Sequence, residues 1–330
     1  MTHRTKSPIF IGMATENALE TLLDAVKFFA DKEVAINFMA SLRWPDGVTC
    51  PHCESKEVTF LKTRMIWKCR ACEKQFSVKV GSIFEDSPIG LDKWLPALWM
   101  LVNCKNGISS YELARDVGVT QKTAWFMLHR LRLAVQNKSF AKIAGHVEID
   151  ETYIGGKARN MHKGKRDRVI KGTGGKGKIA VMGLLARHGK DGHSTMRASV
   201  VESNRKPVLQ AKVREHVRRG SKIYTDELLS YDGLNADYTH NVIIHAEGYV
   251  DGQIHTNGCE NFWSLLKRAL KGTYVSVEPF HLFRYLDEQV YRFNNRKLSD
   301  AARFIEAAAS VFGKRLTFDA LTGKELPQTC

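Results

Sequence analysis

Two pairs of cysteines restrict the fold of this chain more than any other feature. Cys50-Pro51-His52-Cys53 and Cys69-Arg70-Ala71-Cys72 are separated by fifteen residues. Each C-x2-C places two thiolates on one tight turn. Two such turns complete the tetrahedral four-sulfur shell that Zn2+ favours, at the spacing of a zinc ribbon. Four protein ligands leave no open position for water, so Cys50, Cys53, Cys69 and Cys72 are expected to hold a structural Zn2+ and not a catalytic one. His52 is a spare donor that this shell does not need. Trp67 and Phe76 flank the second pair and supply the small core that a ribbon requires. The chain holds seven cysteines, and an odd count with two close pairs suits metal binding in a reducing compartment better than disulfides.

The 330 residues are enough for about two domains. With 43% hydrophobic and 26% charged residues the chain is of ordinary globular composition, which excludes wholesale disorder. Fifty Lys and Arg against 35 Asp and Glu give a net charge of +15, the electrostatic footprint of a polyanionic partner. The longest apolar run, Leu95 to Val102, is too short to cross a bilayer. The first thirty residues contain no basic stretch leading into an apolar core with a cleavage site. The expectation is a cytoplasmic, nucleoid-associated protein with no membrane partner.

Hydrophobic periodicity orders the remainder. Helical spacing marks Leu19 to Phe29 and Lys32 to Leu42. Short extended runs (Val58 to Leu61, Met65 to Lys68, Gln75 to Val80) surround the cysteines, and the period is helical again from Leu91 to about Ala144. Within that stretch, Ser109 to Leu133 has the layout of a helix-turn-helix. Leu113, Ala114 and Val117 form one apolar face, Gly118 makes the turn, and Thr120 is an N-cap. Ala124, Met127, Leu128 and Leu131 continue a second helix. Gln121, Lys122 and Thr123 are left polar at its start, where base edges or phosphates would be met. An ordinary helical hairpin has the same pattern.

Beyond His146 the period becomes strand-like: His146 to Ile154, Ile179 to Ala186, Thr195 to Val201, Lys222 to Thr225 and Val242 to His245. Helices are expected at about Pro207 to Arg219, Asn257 to Leu270, Pro279 to Phe293 and Asp300 to Phe312. Val147 and Ile149 alternate with acids, so Glu148 and Asp150 share the opposite face of the first strand. Asp226 ends the strand from Lys222, and Glu260 lies in the first turn of the helix from Asn257. Three carboxylates so placed can converge on one pocket and bind Mg2+. Each also has a structural reading. Glu260 could complete a capping box with Asn257, and Asp226 could cap a helix from Glu227. Asp150 could be an exposed strand-end acid, with Glu148 or Glu151 as the better candidate. Gly155 to Lys178 carries nine Lys or Arg against the single Asp167, a loop suited to holding phosphates; Lys163, Lys165, Arg166 and Arg168 are its centre. Gly172 to Lys178 mimics a phosphate-binding loop, but Ile179 stands where Ser or Thr is needed and a strand follows, so nucleotide binding is rejected.

The runs VEIDETYIGGK, IYTDELLSYDGL and HTNGCENFWSLLKRALKGTY, in that order, resemble the DDE transposases of bacterial insertion sequences, in particular the ISXO-type group with its zinc ribbon. LRWPDGVTCPHC and WKCRACEKQFSVKVGSIF are similar to the same group's ribbon. The likeness covers roughly Asp31 to Arg296. It implies an α/β fold: an RNase H-like mixed sheet flanked by helices, preceded by a small zinc ribbon and a helix-turn-helix. Asp150 would lie on the first strand, Asp226 on the fourth and Glu260 on the following helix, the last two 34 positions apart. Asn257 or Asn261 is an alternative or assisting third group. Lys267 matches the basic residue that follows the third acid; seven residues on, it shares the face of Glu260.

The expected layout is a helical segment over 1–47, the ribbon over 48–85, the helix-turn-helix over 90–143, the catalytic domain over 144–312 and a tail over 313–330. The implied activity is transposition. Element ends are bound as double-stranded DNA, two Mg2+ or Mn2+ ions held by Asp150, Asp226 and Glu260 support strand cleavage, and the freed 3′-hydroxyl joins target DNA. Acting on two ends implies a homodimer or larger on DNA. Two other readings stand beside it: a DNA-binding regulator without catalysis, and a structure-selective nuclease on the same fold.

Overall fold

The structure is a computed structural model that describes residues 19–136, 141–155, 164, 178–188, 192–243 and 255–324. The chain divides into two compact units: residues 1–136 together with 295–330, and residues 137–294 inserted between them.

The first unit opens with two helices, α1 (Leu22–Ala30) and α2 (Lys32–Arg43). Thr21 caps α1 through a reciprocal pair with Asp24, and Asp31 caps α2 by accepting from the Glu33 and Val34 amides. Three short antiparallel strands follow, β1 (Val58–Leu61), β2 (Ile66–Cys69) and β3 (Gln75–Phe76), in the order β1-β2-β3. Their core is aromatic, as the sequence suggested: Trp67 is buried with its ring centroid 5.0 Å from Phe60 and 6.1 Å from Phe76. Trp44, at the end of α2, joins it at 5.6 Å. β3 ends at Phe76 and not at Val80, because the chain turns there and the Arg43 guanidinium takes the Val78 and Val80 carbonyls.

α3 (Leu91–Asn103) contains the longest apolar run and is buried from Trp94 through Val102, the environment that a helix apolar on all sides needs. α4 (Ser110–Val117) and α5 (Gln121–Ala134) are two helices joined at Gly118, a layout that a helix-turn-helix shares with an ordinary helical hairpin. Gly118 takes a left-handed φ of +63°, and the Val119 amide closes the turn on the Ala114 carbonyl. The Lys93 ammonium donates to the Gly118 carbonyl at 2.9 Å. Among the described residues no helix is long and apolar enough to cross a membrane.

The second unit is a five-stranded mixed sheet of β4 (His146–Ile154), β5 (Ile179–Ala186), β6 (Thr195–Val201), β7 (Lys222–Thr225) and β8 (Thr239–Val242), ordered β6-β5-β4-β7-β8. β4, β5 and β6 pair antiparallel; β4, β7 and β8 pair parallel. This is the RNase H-like arrangement the sequence implies. Strand alternation sorts the core into two layers. Val147 and Ile149 of β4 and Met182 and Leu184 of β5 pack with Leu209 and Val213 of α6 (Lys206–His216). On the other face, Val181 and Leu185 meet α7 (Asn257–Ala269) and α8 (Leu282–Asn294). The Asn294 side chain bonds both backbone groups of Met196, occupying the edge strand β6 at that point.

Two expectations about elements are corrected. β8 covers Thr239–Val242, beginning earlier than the expected Val242 to His245, of which 244 and 245 lie outside the described residues: it is a polar edge strand, registered on β7 from Lys222↔Thr239, and lacks the apolar signal that marks a buried strand. The helix expected from Glu227 is only a 3-10 turn at Leu229–Tyr231.

Asp300 to Phe312 is also not where the 144–312 range would put it. α9 (Asp300–Ala309) belongs to the first unit, because its apolar face carries Phe304, fully buried. The Phe304 ring lies 5.6 Å from Phe29, 5.9 Å from Phe38 and 5.3 Å from Trp99. The same returning segment bonds Ile83 to Val311 and Gly313 to Gly81, and ends in α10 (Phe318–Thr322). Phe304→Ala is therefore expected to destabilise the first unit by about 3–5 kcal/mol in urea unfolding, with the second sheet's transition unchanged.

Candidate functional site

Two groups of metal-ligating side chains stand out among the described residues. The first is Cys50, Cys53, Cys69 and Cys72, whose sulfurs all lie within 4.8 Å of one another. The Cys50–Cys72 pair is 3.7 Å apart and the Cys53–Cys69 pair 3.5 Å. A tetrahedron with Zn–S bonds of about 2.3 Å has edges of about 3.8 Å, so the four thiolates fit one zinc with almost no adjustment. The ribbon hairpin explains the approach: Cys69 ends β2, opposite Val58 at the start of β1, and its amide is held by the Lys74 carbonyl across the second knuckle. His52 turns its backbone amide, not a ligand atom, toward Cys50 Sγ at 3.4 Å.

The second group is Asp150, Glu151 and Asp226, again with carboxylate oxygens within 4.8 Å of one another. β4 and β7 are parallel neighbours with Glu148 beside Tyr224. Carrying that register two residues on brings Asp226 beside Asp150. Asp226 itself is turned by local bonds: its Oδ1 accepts from the Leu228 amide at 3.1 Å, and the Thr225 hydroxyl donates to its carbonyl. Asp150 accepts from the Trp263 indole at 2.9 Å through Oδ2 and from the Glu151 amide at 2.8 Å through Oδ1.

Burial raises the Asp150 carboxyl to about 6, against these two hydrogen bonds and with help from the charges of Asp226 and Glu260. Burial, then Asp226 and Asp150, push Glu151 up to about 8. Glu151 Oε1 is buried and accepts no hydrogen bond. A buried, unpaired carboxylate oxygen beside two other acids is costly unless a cation joins them. Ligand oxygens about 2.1 Å from an octahedral Mg2+ lie about 3–4 Å from each other, so this donor set fits a divalent ion.

Glu260 is outside that tight group. It is exposed in the first turn of α7, yet near enough for its charge to raise Asp150. The N-cap of α7 is Thr256, and no side-chain cap is made, so Asn257 and Glu260 do not form a capping box. Asn257 and Lys267 are both exposed on the same helix. In the first unit, Gln121 donates to the Ser110 hydroxyl at 2.8 Å, and Thr123 shares a 2.8 Å bond with Thr120. Lys122 is exposed, its ammonium 5.3 Å from the Phe318 ring centroid. Lys163, Lys165, Arg166, Arg168 and the glycine-rich run 172–177 lie outside the described residues.

Sequence reasoning named Glu151 only as a substitute for Asp150, and it missed Trp263, a core aromatic by spacing whose N–H reaches Asp150 from three positions beyond Glu260.

A zinc ribbon followed by a mixed sheet with an acid on its first strand and another just past the end of its fourth is the layout of a DDE transposase. The comparisons agree: the ISXO2-like transposase domain family matches residues 142–294, and the transposase zinc-ribbon domain family matches residues 30–75. A protein of the transposable element ISH50 from Halobacterium salinarum is 29% identical over 257 residues, 74% of this chain and 85% of that one. A transposase-like protein of Haemophilus influenzae is 33% identical over 100 residues, 30% of this chain and 80% of its own length. The chain belongs to the ISXO2-like transposases.

Two predictions follow from these centres. Chelation of zinc, or Cys72→Ser, is expected to release about one metal per chain and to abolish the near-ultraviolet signal of Trp44 and Trp67, while the second unit's far-ultraviolet spectrum persists. The acids give a pH effect of defined sign. Glu151 goes from 4.5 to about 8 and Asp150 from 3.8 to about 6, so the folded, metal-free protein binds more protons than the unfolded chain in those windows. The thermal midpoint of the second unit should therefore fall as pH rises through them, and Mg2+ should reverse the fall; a midpoint flat with pH would refute the assignment.

Proposed function

We propose that this protein cleaves the ends of its insertion sequence and joins them to target DNA, with Asp150, Asp226 and Glu260 as the metal-binding catalytic residues and Glu151 beside them. The observation that carries the reading is the convergence of Asp150 and Glu151, in the middle of the sheet's central strand, with Asp226, just past the end of β7, and a buried oxygen left unpaired. Divalent ions, when bound, stabilise charge on the attacking and leaving oxygens of an in-line phosphoryl displacement.

The protein's own groups do the rest. Trp263 fixes the rotamer of Asp150 by its indole bond. Glu260 adds negative charge from the exposed turn of α7, and Asn257 assists there. Lys267, further along the helix, meets a phosphate oxygen of the DNA. Water attacks one phosphodiester and releases a 3′-hydroxyl, which then attacks a target phosphodiester and displaces a second 3′-oxygen; no protein nucleophile is needed.

Recognition of the element's inverted repeats falls to the ribbon and to α4–α5. Lys122 is the exposed reader, and Gln121 and Thr123 are set by their bonds to Ser110 and Thr120. The net charge of +15, to which the segment containing Lys163, Lys165, Arg166 and Arg168 contributes, favours duplex phosphates. Two ends handled together require a dimer or larger on DNA, and the place of action is the nucleoid.

Asp150→Asn and Asp226→Asn are each expected to abolish Mg2+- or Mn2+-dependent cleavage of labelled end fragments while binding in gel shift is retained. Cleavage by Asp226→Asn protein would sink the assignment. A regulator would bind and never cut, and a nuclease would cut without yielding joined products.

A further inference from the structure

α7 carries Asn257, Glu260 and Lys267, but nothing in its own sequence caps it: Thr256 makes no side-chain bond to the first turn. The cap comes from the sheet. Glu148, on β4 and only 1% exposed, accepts the Cys259 backbone N–H through Oε2 at 3.0 Å. Its other oxygen accepts Arg187 Nε at 2.6 Å. Arg187, just beyond β5, also bonds the His255 carbonyl and ring through Nη2, and lies 4.2 Å above the Tyr224 ring. The segment entering α7 is thus tied to β5 and β7 as well as to β4.

Glu148 and Asp150 lie on one face of β4, two residues and about 6.6–6.8 Å apart along the strand. Their partners on α7, Cys259 and Trp263, are four residues and about 6 Å apart along the helix. The two spacings match, so two carboxylates hold one helix at two points, in one register. Two glycines make room for the match. A Cβ on Gly258 would lie 2.8 Å from Glu148 Oε2 and 3.0 Å from the Leu185 methyls. One on Gly183, which pairs with Asp150, would lie 2.6 Å from the Trp263 ring.

We propose that Glu148, backed by Arg187, is a positioning residue that sets the height of α7 along β4 and thereby the approach of Glu260 to Asp150. The metal part of this inference rests on the proposed transposase site; the clamp itself does not. Both side chains are buried, Glu148 at 2% and Arg187 at 8% exposure, and the role assigned to them is to act through α7.

The test uses the full zinc-loaded chain and the variants Glu148→Gln and Gly258→Ala. Mn2+ binding is measured by calorimetry without DNA, and amide exchange at Cys259 is followed in Mn2+-free protein. Glu148→Gln keeps the side chain's shape but loses its charge, and should weaken Mn2+ binding by about 10–100-fold, with faster exchange at Cys259. Cleavage at saturating Mn2+ should recover far more than it does for Asp150→Asn. Gly258→Ala leaves the Glu148–Arg187 pair intact and inserts a methyl beneath it; it should show the same pattern, and it decides the question if Glu148→Gln does not fold. Wild-type Mn2+ affinity and exchange in either folded variant would overturn the proposal. If the parent chain neither binds Mn2+ nor cuts, the proposed function fails, and exchange at Cys259 alone judges the clamp.

Discussion

The second unit depends on how β4 meets α7. A strand at the centre of a five-stranded sheet is ordinarily apolar on both faces, and β4 is apolar only toward α6. Toward α7 it presents Glu148, Asp150 and Thr152. Such a face is tolerable only if each acid finds a partner. Glu148 finds a guanidinium and a helix amide, and Asp150 an indole and a neighbouring amide. Glu151, which alternates to the other face of β4, keeps a buried oxygen with no hydrogen-bond partner among the described residues. The chemistry proposed for the site follows from that shortfall.

The first unit solves a different problem. A three-stranded ribbon of this size buries little apolar surface, and a metal held by its four cysteines would stand in for a larger core. Beside it α1, α2 and α3 gather on aromatic contacts, and the set is closed by Phe304, which follows residues 137–294 in the sequence. The apolar run Leu95 to Val102 is the centre of this arrangement, which explains its composition without recourse to a membrane.

What the sequence made legible was whatever is local. Cysteine spacing declared the ribbon because four ligands fall within 23 residues, from Cys50 to Cys72. Alternation in His146 to Ile154 put Glu148 and Asp150 on one face, and the resemblance placed Asp226 at the end of the fourth strand. What stayed hidden is long-range pairing. Arg187 is 39 residues from Glu148, and Cys259 is 111 away. No periodicity announces such partners, so Glu148 read only as an alternative to Asp150, and Gly258 drew no reading at all. β8 was misplaced because an edge strand of Thr, His and Asn carries no hydrophobic signal. The helix at Asp300 was recognised by its period, but period tells that a face is apolar and not what it covers.

That last point bears on how the chain comes off the ribosome. The residues that finish the first unit are made after the whole of the second, so the aromatic surface of α1 and α2 waits, uncovered, while the sheet domain is synthesised and folds as an insert. A nascent chain interrupted between residues 295 and 303 would have the sheet's acids but an N-terminal unit still lacking Phe304.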